Sequence, residues 1–241
     1  IIDDVAPDIQ SDARGADLIV FCSPVQTIAQ LATEMSPHLK PGCLVTDVGS
    51  TKETLVLDME KFIPDGISFI GAHPIAGGEM SGFRLSSDTL FDDAHCIITP
   101  TDKSDPESLK IAIELWKTIG MHVSIMDAKE HDFIFGAVSH LPHVLIFALM
   151  NTLGDLKSEN YDRITSFSGA GLRDITRTAA SEPAMWRDIC LSNKDSILYF
   201  LDLFQETLNH LRSSIEQENG TLLTRQFEIS NQHRLKLIGK I

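Results

Sequence analysis

Apolar residues in the first half of the chain come in short continuous runs that are separated by turn residues. Between the first two runs, apolar positions such as Ile28, Leu31 and Met35 recur at the spacing of an amphipathic helix. A continuous apolar run is typical of a parallel strand that is covered on both faces. Residues 1–126 are therefore predicted to form a doubly wound α/β domain with a Rossmann-like parallel sheet. The predicted strands lie at 17–22, 43–47, 67–70, 95–99 and 122–126.

The pattern changes at Asp127, after which helical periodicity replaces the strands. A long apolar face runs from Ile134 to Leu149, and Pro142 within it is predicted to kink the helix. Residues 127–241 are therefore predicted to form an all-α domain. A later helix carries an apolar stripe that is too regular for a lone surface helix, so we expect the domain to pack against a second copy of itself. The stripe comprises Ile197, Phe200, Leu201, Phe204, Leu208, Leu211 and Ile215.

A dinucleotide-binding turn is missing where this fold would place it. Rossmann domains carry G-x-G-x-x-G after the first strand and an acidic residue about 20 positions later. No stretch before Gly49 has that spacing, and Gly169-Ala170-Gly171 lies in the helical half without a strand before it. Two explanations stay open. Either the first β-α-β unit precedes Ile1 in a longer chain, as the lack of an initiator Met suggests, or the fold never bound a dinucleotide.

Composition narrows the class of protein. The 241 residues are 43% hydrophobic, which is enough for a sizeable core, and a formal net charge of −14 opposes non-specific binding to a phosphate backbone. The four cysteines form no C-x-x-C pair, the N-terminus has no signal-peptide pattern, and no apolar stretch is expected to reach membrane-spanning length. We therefore expect a cytoplasmic protein that binds neither nucleic acid nor a membrane.

Three side chains follow predicted strands closely enough to share one edge of the sheet: Ser23, Ser50 and His73. The carboxyl ends of adjacent parallel strands meet at that edge, where open α/β sheets place their ligands. His73, held in a stretch rich in Gly and Pro, is a candidate acid or base. Plainer interpretations stay open. His73 could lie in an ordinary strand-end turn, and Ser50 could be a helix N-cap. Lys52, which follows Ser50 closely, is expected in a solvated first helical turn rather than in a catalytic role.

Two histidines and two arginines stand out in the helical half. His140 and His143 are three residues apart, but no further ligand completes a metal site, so we expect one core histidine, one facing the cleft, and no metal. Arg173 and Arg177 are four residues apart with Asp174 between them, which suits capture of a carboxylate by guanidinium groups on one helix face. A solvated charged face is the alternative interpretation of the same pattern.

Six stretches, taken together and in order, resemble the prephenate and arogenate dehydrogenases, which are oxidoreductases of tyrosine biosynthesis. The resemblance implies an N-terminal Rossmann-type domain, a C-terminal helical dimerisation domain and a homodimer. It also implies oxidative decarboxylation of prephenate to 4-hydroxyphenylpyruvate with hydride transfer to NAD, and NADP is not excluded. The stretches are Cys22-Ser23-Pro24-Val25, Asp47 to Lys52, Gly71 to Gly77, Ser139 to His143, Arg173 to Arg177 and Met185-Trp186-Arg187-Asp188.

The same resemblance implies roles for individual residues. His73 matches the catalytic histidine that takes the proton of the substrate's ring hydroxyl, and Ser50 matches its partner. Arg177 and His143 match residues that bind the substrate's carboxylates or hold the site around them. The remaining matches are Arg173, which reaches the site of the neighbouring subunit; Glu79 and Asp174, which form an ionic network near the entrance; and Ser23, Pro24 and Val25, which follow the cofactor.

Three rival interpretations stay open. Arogenate shares the ring of prephenate and differs at the side chain, so the sequence does not choose between the two substrates. A dehydrogenase of the β-hydroxyacid type would share the two-domain layout, although such enzymes generally rely on a Lys in the helical domain. A catalytically silent dimeric ligand-binding scaffold would account for the missing dinucleotide turn.

Overall fold

The computed structural model describes residues 3–78, 82, 86–156 and 158–240. Its internal contacts divide the chain into two compact units, residues 1–197 and 198–241. The first unit holds the whole sheet and the helices that pack on it, and the second unit is helical.

One five-stranded sheet forms in the first unit, with its strands in chain order from one edge to the other. β1, β2 and β3 run parallel, β4 pairs antiparallel with β3, and β5 runs parallel to β4. Each strand falls on a predicted apolar run, so the predicted strands are confirmed. They are β1 Leu18–Phe21, β2 Leu44–Asp47, β3 Ser68–Ile75, β4 His95–Thr99 and β5 His122–Ile125.

The sheet departs from the prediction at β3 and β4. The expected sheet is wholly parallel, whereas β4 runs antiparallel to β3. The described residues between these strands form turns and bends but no helix, and a parallel neighbour needs a crossover of roughly a dozen residues or more, usually helical. β3 also continues to Ile75, so His73 lies inside the strand opposite Ile97 rather than after the strand. The apolar run ends at Ile70, and periodicity does not reveal the extension beyond it.

Helices connect and follow the strands, as the periodicity predicts. Asp105 and Asp127 begin α4 and α5, and each accepts a backbone N–H bond with its side chain. Short 3₁₀ turns form at Ser36–His38 and Arg177–Ala180, and a π-helical turn forms at Gly136–His140. The α-helices are α1 Ile9–Ala13, α2 Val25–Met35, α3 Glu53–Phe62, α4 Pro106–Thr118, α5 Ala128–Phe135, α6 Leu141–Gly154, α7 Ser158–Ser166, α8 Ala170–Thr176, α9 Pro183–Ser192, α10 Lys194–Glu216 and α11 Gly220–Leu237.

Two apolar cores lie on the two faces of the sheet. In β2, Leu44 belongs to one core and Val45 to the other, because successive side chains of a strand point to opposite faces. α2 and α3 cover the face of Val45 and bury Ile28 and Met59 completely, whereas α4 covers the opposite face with Trp116. Helices on both faces confirm the predicted doubly wound layout.

Pro142, where the sequence predicts a kink, closely follows a π-helical turn. This turn lies just before Pro142, so α5 and α6 join into one helical run. The run Ala128–Gly154 has 27 residues, and its most apolar 18-residue window has a mean hydropathy of 1.9 and is 17% buried. By length and composition it could cross a membrane, contrary to the expectation that no stretch is long enough. Length and composition alone do not assign a membrane span, because an apolar helix in a protein core passes the same test.

Candidate active site

His73 lies within β3 and reaches the helical half of the chain. Its Nδ1 lies 2.8 Å from Nε2 of His131 in α5. Its ring also packs against Phe135, with 4.9 Å between the ring centroids. Since β3 lies between β2 and β4, the sheet and α5 together hold this imidazole in place.

His131 and Asp132 are the next links of a buried polar chain. Nδ1 of His131 lies 2.8 Å from Oδ1 of Asp132, and the two side chains are 0% and 1% exposed. The Asp132 carboxylate also accepts the backbone N–H groups of Lys52 at 2.7 Å and Glu53 at 2.9 Å. Asp132 therefore caps α3 from another helix. The interpretation of Ser50 as the N-cap is wrong, because the residue at that position is Lys52 and its own side chain caps nothing.

Lys52 is fully buried, which corrects the prediction of a solvated first helical turn. Its Nζ pairs with Oδ2 of Asp47 at the end of β2, and Asp47 is buried as completely. The same carboxylate accepts the backbone N–H groups of Gly49 at 2.7 Å and Ala72 at 3.0 Å. A buried charge is tolerated where it is paired and hydrogen-bonded, so this pair ties the end of β2 to β3 beside His73.

Burial favours the neutral form of His73 near pH 7. The pKa of His73 is lowered well below its ordinary value, first by desolvation and then by electrostatic repulsion from His131, Lys52 and His140. The pKa of His131 is also lowered, chiefly by burial, although Asp132 acts in the opposite direction. A neutral imidazole accepts a proton, so the site favours base chemistry at His73.

A cavity of 490 Å³ opens beside His73. Ser50 and His143 also line it, so the structure brings together three of the predicted site residues. The ring of His143 stacks on Trp186 with 3.8 Å between centroids, and its Nδ1 donates to the carbonyl oxygen of Ser139 at 2.8 Å. Nε2 is thus the nitrogen of His143 that is left for a ligand in the cavity.

His140 lies in the core rather than at the cavity. Its side chain is 1% exposed, and its Nδ1 lies 3.0 Å from Nδ2 of Asn193. Burial lowers the pKa of His140 to about 4, with the nearby charge of Asp132 acting in the opposite direction. One histidine in the core and one at the cavity is the division that the sequence predicts for this pair.

A second cavity, of 350 Å³, lies at the carboxyl ends of β1 and β2. The predicted cofactor residues Ser23, Pro24 and Val25 line it. Ser50 and Met185 line both cavities, so the two cavities adjoin. The arrangement can hold two ligands side by side, with Ser50 within reach of each.

The arginine segment lies on α8 and the turn after it. Arg173 and Asp174 are exposed on α8, whereas Arg177 begins the 3₁₀ turn. The expected single helix face is therefore interrupted by a change of helix type. Among the described residues that line the 490 Å³ cavity, this segment contributes Thr178 rather than the arginines. Glu79, to which the family resemblance gives a place in an ionic network, lies outside the described residues.

Four residues of the polar chain escape prediction from the sequence: Asp47, Lys52, His131 and Asp132. Lys52 meets Asp132 across a separation of 80 positions, and hydrophobic periodicity carries no information about such pairs. The usable signals are local. A His-Asp pair follows the N-cap of α5 closely, and an Asp at the end of a buried strand stands five positions before a Lys.

Two family models match nearly the whole chain. The family described as prephenate dehydrogenase, nucleotide-binding domain, matches residues 1–125, and the family described as prephenate dehydrogenase, dimerization domain, matches residues 127–229. The cyclohexadienyl dehydrogenase of Zymomonas mobilis is 34% identical over 98% of this chain and 80% of its own length. The prephenate dehydrogenase of Bacillus subtilis is 36% identical over 97% of this chain and 63% of its own length.

A solved structure is similar along nearly the whole chain. Prephenate dehydrogenase from Aquifex aeolicus, in complex with hydroxyphenyl propionate and NAD+, has a TM-score of 0.90 and 37% identity, and the match covers 98% of this chain and 82% of that one. With two family matches that together span nearly all of the sequence and relatives at this level of identity, the chain belongs to the prephenate dehydrogenase family.

Proposed function

We propose that this chain catalyses the NAD-dependent oxidative decarboxylation of prephenate to 4-hydroxyphenylpyruvate in tyrosine biosynthesis. The observation that carries the proposal is the position of His73, a neutral imidazole in a cavity that adjoins the cleft at the ends of β1 and β2. Two adjoining cavities suit a reaction in which a base and a hydride acceptor act on one carbon. The Bacillus subtilis and Aquifex aeolicus relatives are both prephenate dehydrogenases by name.

The 350 Å³ cleft fits the nicotinamide end of NAD. Its walls combine the hydroxyl groups of Ser23 and Ser50 with the apolar surfaces of Pro24 and Val25, a mixture that suits a ring bearing an amide. Gly49 keeps the backbone close to the strand end, because a Cβ there would lie 2.9 Å from a carboxylate oxygen. When bound, NAD⁺ supplies the acceptor for a hydride. NAD is proposed before NADP because the Aquifex aeolicus structure contains NAD+.

The proposed chemistry depends on one proton at His73. The imidazole takes the proton of the ring hydroxyl while the hydrogen on the same carbon leaves as hydride, so that carbon is oxidised by two electrons. The ring carboxylate leaves as carbon dioxide, and the electron pair of the broken C–C bond makes the ring aromatic. The proton then returns to the same oxygen, now a phenolate, and His73 is neutral again.

Two side chains of the helical half are proposed to bind the carboxylates of prephenate. His143 is held at the cavity wall by its stack on Trp186. Arg177 directly precedes Thr178, which lines the same cavity. We therefore propose that its guanidinium binds a carboxylate at the cavity entrance. A guanidinium binds a carboxylate with two parallel hydrogen bonds, which fixes the orientation of the substrate as well as its charge.

The helical part of the chain is proposed to form a homodimer. It matches a dimerization family, and it exposes large apolar side chains such as Phe167 and Leu208. Large apolar side chains that are exposed close together mark a surface that binds another protein. We propose that this domain comprises residues 127–241, following a cofactor domain at 1–126. Arg173 is proposed to serve the neighbouring subunit, with Glu79 and Asp174 in an ionic network at the entrance.

We propose that the protein works in the cytoplasm. Its four cysteines are all free, as expected of a chain in a reducing compartment. The apolar run Ala128–Gly154 is assigned to the dimer rather than to a membrane, because it lies in the part that matches the dimerization family. A homodimer that buries this run would remove its apolar surface from water.

Turnover by the purified protein tests the proposal. Prephenate and NAD⁺ at neutral pH should give NADH, followed by its absorbance, and equal amounts of 4-hydroxyphenylpyruvate and carbon dioxide. Arogenate and NADP⁺ are assayed in parallel with the same preparation. Turnover with arogenate alone would transfer the proposal to that substrate. A folded protein that turns over neither compound would favour the silent scaffold.

A further inference from the structure

His131 is bound on three sides by the fold. Its Nε2 lies 2.8 Å from Nδ1 of His73, and its Nδ1 lies 2.8 Å from Oδ1 of Asp132. Its ring stacks on Phe135, with 4.4 Å between centroids and an interplanar angle of 28°. Because the side chain is 0% exposed, these protein contacts decide which of its nitrogens carries a proton.

The direction of each hydrogen bond follows from Asp132. Its two oxygens accept the backbone N–H groups of Lys52 and Glu53, so the group acts as a carboxylate and can only accept. Nδ1 of His131 must therefore donate to it. A neutral imidazole has one N–H, so Nε2 of His131 is an acceptor, and Nδ1 of His73 must donate to that nitrogen.

We propose that His131 is a positioning residue that fixes the tautomer of His73. The single N–H of neutral His73 is held on Nδ1, so Nε2 is unprotonated and is the nitrogen that takes the proton of the substrate's hydroxyl. The catalytic meaning of this inference rests on the proposed function. The tautomer itself is a property of the folded chain and is testable without substrate.

Asp132 places a negative charge at the far end of the same chain. When His73 takes a proton, its Nδ1–H still donates to His131, whose other nitrogen donates to the carboxylate. Negative charge one ring away favours the cation, as a buried carboxylate behind a catalytic histidine does in hydrolases. Lys52 and His140 also face His73 and act against the cation, whereas Asp132 favours the protonated form of the neighbouring His131. The transferred proton stays on His73 until it returns to the product.

The first test reads the tautomers directly. In the ¹⁵N-labelled full chain, long-range ¹H–¹⁵N NMR correlations distinguish a protonated from an unprotonated ring nitrogen, and His73→Asn and His131→Phe assign the signals. We expect both rings to carry hydrogen on Nδ1 and none on Nε2 at neutral pH. A proton on Nε2 of His73 would overturn the inference, whatever the protein does with prephenate.

The second test separates positioning from folding. His131→Phe keeps the stack on Phe135 but removes the acceptor, whereas His131→Gln supplies an amide oxygen that can accept. We expect kcat to fall roughly 10- to 100-fold in the Phe variant, at nearly constant KM, and to recover in part in the Gln variant. His122→Gln, at an exposed histidine of β5, is the control and should keep the wild-type kcat.

Equal losses of kcat in the Phe and Gln variants of His131, or a loss confined to KM, would overturn the positioning role. Absence of turnover in the wild-type protein would contradict the proposed function instead. The NMR result would then still decide the tautomer of His73, so the two failures are distinguishable.

Discussion

Charged side chains are buried at the ends of the strands, whereas large apolar side chains are exposed along the helices that follow. Asp47 and Lys52 are fully buried, yet Leu208 and Phe167 are 52% and 83% exposed. Both observations run against the usual distribution, in which charges face water and apolar groups face the core. The buried charges compensate each other by pairing, whereas the exposed apolar side chains face water in an isolated subunit. We infer that the first region supports the strand ends beside the substrate cavity and that the second is the surface that meets a second copy of the chain.

The largest effect is expected at the buried polar region. His73→Asn removes the base, so kcat with prephenate should fall by about 10²–10⁴-fold. Affinity for NAD⁺ should be unchanged, because the cleft proposed for the cofactor is a separate cavity that His73 does not line. Steady-state kinetics and a fluorescence titration with the cofactor measure the two quantities. An unaltered kcat would remove His73 from the catalytic site.

Breaking the buried pair should affect folding rather than rate alone. Asp47→Asn leaves the charge of Lys52 buried without its partner, which should cost about 3–5 kcal/mol of unfolding free energy. The measurement is the urea midpoint at constant m. Asp58→Asn is the matched control, since its pair with Lys61 is solvated and its loss should cost less than about 1 kcal/mol. Similar small shifts in both variants would contradict the role assigned to burial.

The exposed apolar region is tested through the oligomeric state. Leu208→Asp places a charge on the exposed face of α10 and should raise the dimer dissociation constant by about 100-fold, the effect of losing one central apolar contact. Sedimentation velocity over a concentration series measures it. Asn209→Asp adds the same charge at the next, also exposed, position and should leave the dimer intact. If Leu208→Asp left the dimer dissociation constant unchanged, as the control should, this face of α10 would be excluded from the interface.

The smallest effect concerns pH and His140. Because burial lowers its pKa to about 4, the unfolded chain binds a proton more readily than the folded chain does. The folded state therefore has its full stability above about pH 6.5 and loses stability as the pH falls toward 4. At pH 5 the free energy of unfolding should be about 2 kcal/mol lower because of this histidine. The urea midpoint of His140→Gln should accordingly fall less between pH 7 and pH 5 than that of the wild type, and equal falls would contradict the assignment.

The two regions also differ in how far the sequence predicts them. The strands are predictable because apolar residues cluster in each of them, and Asp127 marks the change to helical periodicity. The direction of β4 is not predictable, since periodicity reports which residues are buried and not which way a strand runs. Pro142 marks the place of an irregularity in the sequence, but the π-helical turn that forms just before it is not indicated by the apolar pattern.

The site divides in the same way. Ser50 and His73 are predictable candidates because each follows a predicted strand, and His143 is one because it lies three residues from His140 on a predicted helix. Lys52 looks solvated in the sequence, because a Lys in a first helical turn usually is, and its buried partner becomes evident only in the fold. Asp132 reaches α3 across about 80 positions, so no local pattern could indicate that contact.

One measurement tests the role of His73 most directly: kcat with prephenate as a function of pH, in the wild type and in His73→Asn. Because the pKa of His73 is lowered by burial, kcat of the wild type should stay constant down to a pH below the ordinary histidine value and then fall as the imidazole becomes protonated. The residual activity of His73→Asn should lack this fall. The same acid limb in both proteins would contradict the assignment of His73 as the base.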